Sequence, residues 1–373
     1  MTPHELKSRI HSGSLDRRQF NKLLASAGIV SVASPLLAKS AGASAPLQVF
    51  TWANYNQPEQ FAAYTEKYGQ PPEFSILTEN DEARAKLRGG FRPDIVVPTE
   101  SYAPFFMKDN LLDPIDVSRL AHWPELFDKM RNNKSTMGAN GEHYHLPWAW
   151  GTNGVVFRTD LAPEYVGNPT WSILFDPKYK GRIAMRDAPN GTIIPAALIL
   201  KAKDPYDLTD DELAAAGEML RKGRELVRFY WKSEAEIEQA LAAGEIAAAY
   251  AWSTAYTALK RQGVPVEYMV PKEGMPIWLD GYSLIKGGSA PEQQKYDCLD
   301  AVLSPESGAF NIRKLSYGAS NRKSYARVEP QLLAELGMSN PDDILAKGLW
   351  TKVVPQATLR KMSDLHNRVK SGF

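Results

Sequence analysis

Trp278 and Asp280 are the residues of this chain best suited to chemistry on a small molecule. They sit in Met275-Pro276-Ile277-Trp278-Leu279-Asp280-Gly281-Tyr282. In an extended segment, positions two apart project from the same face. An indole face and a carboxylate presented together suit an organic ammonium ion: the ring quadrupole attracts the cation and the carboxylate pairs with it. Pro276 and Gly281 bracket the pair and predict a strand end or loop rather than a helix interior. The competing reading is a half-buried strand whose aspartate caps a turn.

Other chemistry finds little support. The chain has no G-x-S-x-G, no G-x-x-x-x-G-K-[ST] and no H-E-x-x-H. Beyond the first 45 residues the histidines are His122, His143, His145 and His366. His143 and His145 could share a strand face as metal ligands, but Glu142 is the only obvious carboxylate beside them, and no metal or cofactor is expected. The single cysteine, Cys298, excludes an intrachain disulfide and any thiolate metal cluster built by this chain alone. Its helical-looking surroundings, Glu292–Leu303, predict a buried packing role. Lysine and arginine number 44 against 43 acidic residues, a net charge of +1. That balance gives no electrostatic case for nucleic acid or an anionic membrane surface. Nine Trp and sixteen Tyr are enough to line a small-molecule site as well as fill cores.

Residues 1–45 read as a leader rather than part of the fold. Ser14-Leu15-Asp16-Arg17-Arg18-Gln19-Phe20-Asn21-Lys22 resembles a twin-arginine export signal, and a mildly apolar Leu23–Leu37 follows. Ala41-Gly42-Ala43 is an A-x-A cleavage site. Ala43-Ser44-Ala45 is a second, disfavoured by Pro46 just after it. The expectation is a periplasmic protein exported by the twin-arginine route, with no later apolar run of 18 residues to anchor it.

The elements that must position Trp278 and Asp280 alternate between strand and helix. Leu47–Trp52 predicts a first strand and Glu59–Tyr68 a helix ended by Gly69. Asp94–Pro98 is an apolar strand of the kind a parallel sheet buries on both faces. In Leu146–Phe157 two glycines split an aromatic run from a β-rich run, which suits a chain passing between lobes. Thr209–Val227 and Glu234–Ala243 read as helices, the latter amphipathic and solvated. Ile246–Trp252, Val266–Val270 and Ser283–Ile285 read as strands. At 373 residues two domains are expected. The fold class is α/β, two lobes with mostly parallel sheets flanked by helices and a ligand cleft between them.

Several segments, taken in order, resemble the periplasmic spermidine/putrescine (polyamine)-binding proteins of ATP-driven (ABC) importers. They are Phe50-Thr51-Trp52-Ala53-Asn54-Tyr55, Arg92-Pro93-Asp94-Ile95-Val96-Val97-Pro98-Thr99, Tyr144-His145-Leu146-Pro147-Trp148-Ala149-Trp150-Gly151-Thr152, Phe175-Asp176-Pro177-Lys178-Tyr179-Lys180-Gly181-Arg182-Ile183, Ala249-Tyr250-Ala251-Trp252-Ser253, Pro271-Lys272-Glu273-Gly274, Ile277-Trp278-Leu279-Asp280, Tyr317-Gly318-Ala319-Ser320-Asn321 and Gly348-Leu349-Trp350. The resemblance implies a type II periplasmic-binding-protein fold. Lobe one would comprise residues 46–153 and 277–312, and lobe two residues 154–276 and 313–373. It implies Trp52, Tyr55, Trp252 and Trp278 as walls, Asp187 and Asp280 as carboxylates and Thr99 as a hydroxyl. It also implies a cationic polyamine-like ligand, a membrane permease as partner, a monomer and no catalysis. Asn190 stands where the family often has a second acid, Ser101 where a tyrosine is common, and Thr351 where a longer amide is common. Losing one carboxylate argues for a putrescine-like diamine over spermidine, because an unpaired buried ammonium costs several kcal/mol. Two alternatives stay open. One is a receptor for another solute, such as an amino-acid derivative or opine, for which Arg186 is the candidate carboxylate ligand, although strand alternation beside Asp187 would point it away. The other is an exported metal-dependent enzyme.

Overall fold

The computed structural model describes residues 46–372. The expected export signal and cleavage site lie outside them. In the first lobe, β1 (Gln48–Trp52) pairs in parallel with both β2 (Glu73–Leu77) and β3 (Ile95–Val96), and β4 (Leu112–Asp113) lies at the edge. Val49 packs into a cluster with Tyr64 and Ile95, while its neighbour Phe50 packs on the opposite face with Leu87 and Phe106. Both faces of β1 are covered, which is why it reads as an unbroken apolar run.

The chain leaves this lobe along β5 (Leu146–Arg158), thirteen residues without a break. Beyond it, β6 (Ile183–Arg186), β7 (Val227–Trp231) and β8 (Ala248–Trp252) form a parallel set, and β9 (Val266–Met269) runs antiparallel to the end of β5. It returns along β10 (Pro276–Ile285), antiparallel to β5 and then to β3. The short β11 (Gly318–Ala319) and β12 (Leu349–Trp350) complete the edges. The strand order β2-β1-β3-β10-β5-β8-β6-β7 therefore joins two parallel wings through two long antiparallel strands.

Two local expectations change. The Trp278–Asp280 stretch is the interior of a ten-residue strand rather than a strand end, and every residue of it is buried. Pro276 is tolerated as its first residue. The two glycines of β5 lie within one continuous strand, and a Cβ at Gly151 would collide with the Trp278 indole. Finally, the helix expected over Thr209–Val227 spans Asp210–Lys222, capped by a reciprocal Thr209–Glu212 box, because Gly223 stops it and the aromatic run Val227–Trp231 goes into the sheet.

The second lobe's core gathers Trp171, Ile183, Trp231, Ile237, Leu241 and Tyr250. Val354, Met362, Leu365 and Val369, around and within the helix Gln356–Ser371, join it. Tyr325, Val328, Met338 and Leu345 pack instead with Trp150, Ile277 and Leu279. Residues 325–345 thus pack on β5 and β10, and packing on the Trp171–Tyr250 core resumes by Val354. Among the described residues no helix is long and apolar enough to cross a membrane.

Candidate functional site

Alternation along β10 separates its two faces. Ile277 and Leu279 enter one cluster, while Trp278 and Tyr282 enter another with Tyr55, Trp148 and Tyr317. Asp280 shares the face of Trp278. Immediately after it the pairing with β5 slips, from Asp280 opposite Ala149 to Gly281 opposite Pro147. Such a bulge bends the strand and re-aims side chains. A Cβ at Gly281 would run into the Leu146 carbonyl, so glycine is needed for this close approach.

Asp280 is 7% exposed. Its Oδ2 accepts the Tyr55 hydroxyl at 2.9 Å, and Oδ1 is buried without a partner. Burial pushes the carboxyl up to about 6, against the pull of the nearby Thr99 and Tyr55 hydroxyls and the Arg186 charge. Thr99 bridges Asp280 through backbone, and its own N–H and hydroxyl are held by the Asn80 amide at 3.0 and 3.1 Å. Around the carboxylate stand aromatic edges. Tyr55 meets Trp148 edge-on at 4.7 Å, and Trp278 meets Tyr317 edge-on at 4.7 Å. The indole N–H groups of Trp52, at the end of β1, and of Trp278 are buried and unpaired. A half-bonded carboxylate among buried aromatic rings is equipped to accept an ammonium ion.

The other expected carboxylate is differently placed. Asp187 follows β6, and its oxygens accept Lys370 Nζ at 2.7 and 2.8 Å and lie 3.1 Å from His366 Nε2. Both partners come from the helix Gln356–Ser371. Burial acts to raise the Asp187 carboxyl, but Lys370 and His366 outweigh it and hold it below the usual range. Lys232, just after β7, lies 3.6 Å away on the same side.

Arg186 takes the face that strand alternation gives up. Its guanidinium lies 4.9 Å from the Trp252 ring and donates to Glu79 Oε1 of lobe one at 2.9 Å. The expectation that it points away from the cleft is corrected: Asp187 is turned to the C-terminal helix, and Arg186 reaches across between the lobes. Trp252 is fixed further by donating Nε1–H to Asn153 Oδ1 at 2.9 Å and by Trp231 edge-on at 5.3 Å. The structure therefore brings Tyr55, Thr99, Trp278 and Asp280 into one contact group, puts Trp252 with Arg186, and commits Asp187 to a salt bridge.

Sequence reasoning missed Tyr317 and Glu234. Tyr317 lies within a segment quoted above but carried no role, although an aromatic before Gly318 was a visible signal. Glu234 was read as part of a solvated helix, yet its carboxylate is enclosed and burial pushes it up to about 7. Ser101 and Thr351, where larger residues are common, line a cavity of about 370 Å³ that also touches Glu100, Leu279 and Trp350. His145 is buried, with burial pulling its imidazole down to about 3, whereas His143 packs edge-on against Trp123 at 4.9 Å. Among the described residues no three His, Cys, Asp or Glu side chains are grouped to hold a metal ion.

Known proteins resemble this chain in sequence and fold. A putrescine/agmatine-binding protein of Pseudomonas aeruginosa is 26% identical over 353 residues, covering 88% of this chain and 93% of that protein. A putrescine-binding periplasmic protein of Escherichia coli is 24% identical over 362 residues, covering 91% and 96%. The crystal structure of the spermidine/putrescine ABC transporter substrate-binding protein of Streptococcus pneumoniae superposes with a TM-score of 0.72 at 19% identity, over 87% of this chain and 98% of that one. The profile of the bacterial extracellular solute-binding protein family matches residues 50–336. With that span and the two-winged sheet, the chain belongs to the bacterial extracellular solute-binding protein family.

Proposed function

We propose that this protein is the periplasmic receptor of an ABC importer and captures a small cationic amine, putrescine-like rather than spermidine-like, between its lobes. The observation that carries the reading is Asp280, a buried carboxylate with one oxygen bonded to Tyr55 and the other bare, set beside Trp278 and Tyr317. An ammonium ion would satisfy the bare oxygen and lie against the aromatic faces. Trp52 and Trp252 would add walls from the ends of β1 and β8, and Thr99 would hold the carboxylate's flank. The relatives' own ligands, putrescine and agmatine, support an amine. Binding would stabilise the closed pair of lobes, and a membrane permease would read that shape. No bond-making step is assigned to the site. Export by the twin-arginine route and a monomeric state belong to the same reading.

Arg186 favours a second reading. A guanidinium between the lobes suits a carboxylate, so the solute could carry an anionic group as well as its amine, as an amino-acid derivative or opine does. Titration calorimetry of the mature chain against putrescine, cadaverine, agmatine, spermidine and 4-aminobutyrate separates the two. The first reading expects saturable binding of a diamine at micromolar or better. Preference for 4-aminobutyrate would replace it with the second, and no binding of any amine would remove both.

A further inference from the structure

The Asp280 anchor explains one end of a ligand, and with Asp187 bonded to Lys370 and His366 the expected acid for the other end is occupied. Glu234 stands in a different position. It opens the helix Glu234–Ala242, whose Ile237 and Leu241 lie in the core of lobe two. Its Oε2 accepts the hydroxyl of Thr254, at the start of the helix Ser253–Arg261, and the N–H groups of Trp252 and Ala255 also act on it. Its Oε1 is buried with no partner. Oε1 is thus left without a hydrogen bond of normal geometry at the start of the neighbouring helix, at an energetic cost.

The other oxygen, Oε2, starts a contact chain that leads through Thr254 toward Asp280. Thr254 Oγ1 is 3.4 Å from the Tyr317 hydroxyl. The Tyr317 ring stands edge-on to Trp278 at 4.7 Å and to Tyr55 at 6.3 Å. Burial first, then the negative charges of both Glu234 and Asp280, push the Tyr317 phenol up, so the Tyr317 side chain is near both acids. Lobe one therefore supplies a buried carboxylate with one free oxygen, and lobe two supplies another, both near Tyr317. Two such groups left uncompensated would be costly, and a ligand with a cation at each end would relieve both.

We propose that Glu234 is a ligand-binding residue, the second carboxylate of the cleft, whose unpaired Oε1 accepts the far ammonium group of a linear diamine anchored at Asp280. The assignment rests on reading Asp280 as the amine anchor, and it adds the substrate class, a molecule cationic at both ends. It also ties closure to recognition, because the two carboxylates belong to different lobes and one diamine must engage both. Glu234 would restore the acid that Asn190 leaves out, from a different element.

The test compares putrescine with n-butylamine, which has the same carbon count and a single ammonium, by calorimetry at pH 8. The native chain should bind putrescine at least about tenfold more tightly, the scale of one charge-assisted contact. Glu234→Gln keeps an acceptor for Thr254, and it should erase most of that preference by weakening putrescine much more than butylamine. Glu234→Asp withdraws the charge by one methylene and should shift preference from putrescine toward cadaverine. Equal losses for both amines in Glu234→Gln, with no length shift in Glu234→Asp, would mark Glu234 as structural and overturn the proposal. A native chain that binds butylamine as tightly as putrescine would overturn it too, while leaving Asp280 as an amine anchor. If no amine bound at all, the Asp280 reading itself would fall, and this assignment with it.

Discussion

Asp187, just after β6, and Asp280, at the bulge in β10, are both acidic and both largely enclosed, yet they are in opposite electrostatic states. Asp187 is saturated by Lys370 and His366, with its carboxyl held below the ordinary range. Asp280 has the Tyr55 and Thr99 hydroxyls beside it but no ion-pair partner, and burial pushes its carboxyl up to about 6. The first carboxylate stabilises the fold, since its partners tie the C-terminal helix to β6. The second destabilises the free protein and is stabilised when a cation arrives. Residue type alone does not distinguish a structural acid from a binding one. What distinguishes them is whether the protein supplies the counter-charge.

The contrast yields ordered expectations. Asp187→Asn should be the most damaging to stability, by about 1–2 kcal/mol, because it leaves the buried His366 and the partly exposed Lys370 without their anion. Chemical denaturation would show this, and an unchanged midpoint would mean the ion pair is dispensable. Asp280→Asn should do the opposite in the free protein. A group whose carboxyl is raised from about 4 to about 6 by folding opposes stability at neutral pH by roughly 2–3 kcal/mol. Acidification from pH 6 to 4 should therefore recover stability through Asp280 protonation in the native chain, and the variant should lack that recovery and melt higher at pH 7. A lower melting temperature for the variant would contradict the account.

The same displacement sets the pH dependence of binding. The ammonium needs the ionised carboxylate, so affinity should be flat well above pH 6 and fall by up to about tenfold per pH unit below it. A flat profile down to pH 5 would mean that Asp280 is not the group being paired. Smallest of all, Glu79→Gln removes the lobe-crossing partner of Arg186. Glu79 is half exposed, so less than about 1 kcal/mol of affinity should be lost, and the loss should shrink at high salt. A salt-independent loss would assign Glu79 to direct ligand contact.

Much of this was legible in the chain. Apolar runs such as Val49–Phe50 and Ile95–Val97, separated by helical spacings, identified a covered parallel sheet, and the ordered aromatic segments identified the family. Trp278 and Asp280 were legible because a period of two needs only one strand to place both side chains. Asp187 and Arg186 obeyed the same alternation, but nothing local says which face is the cleft. That depends on Lys370 and His366, some 180 residues later, claiming one of them. Glu234 was hidden for a related reason: at the head of an amphipathic helix it looks solvated, and only the approach of Thr254 and Tyr317 encloses it. The extent of Pro276–Ile285 was obscured by Pro276 and Gly281, which read as terminators. In the structure one begins the strand and the other makes a bulge.

The most direct test of the central claim is a calorimetric titration of putrescine, at pH 8, into the native chain, Asp280→Asn and Asp187→Asn in parallel. The account predicts micromolar-or-better binding by the native chain and a loss of at least about 2 kcal/mol in Asp280→Asn, the scale for unpairing a buried charge. It predicts an affinity near the native value in folded Asp187→Asn. Native-like binding by Asp280→Asn, or a collapse confined to Asp187→Asn, would contradict it.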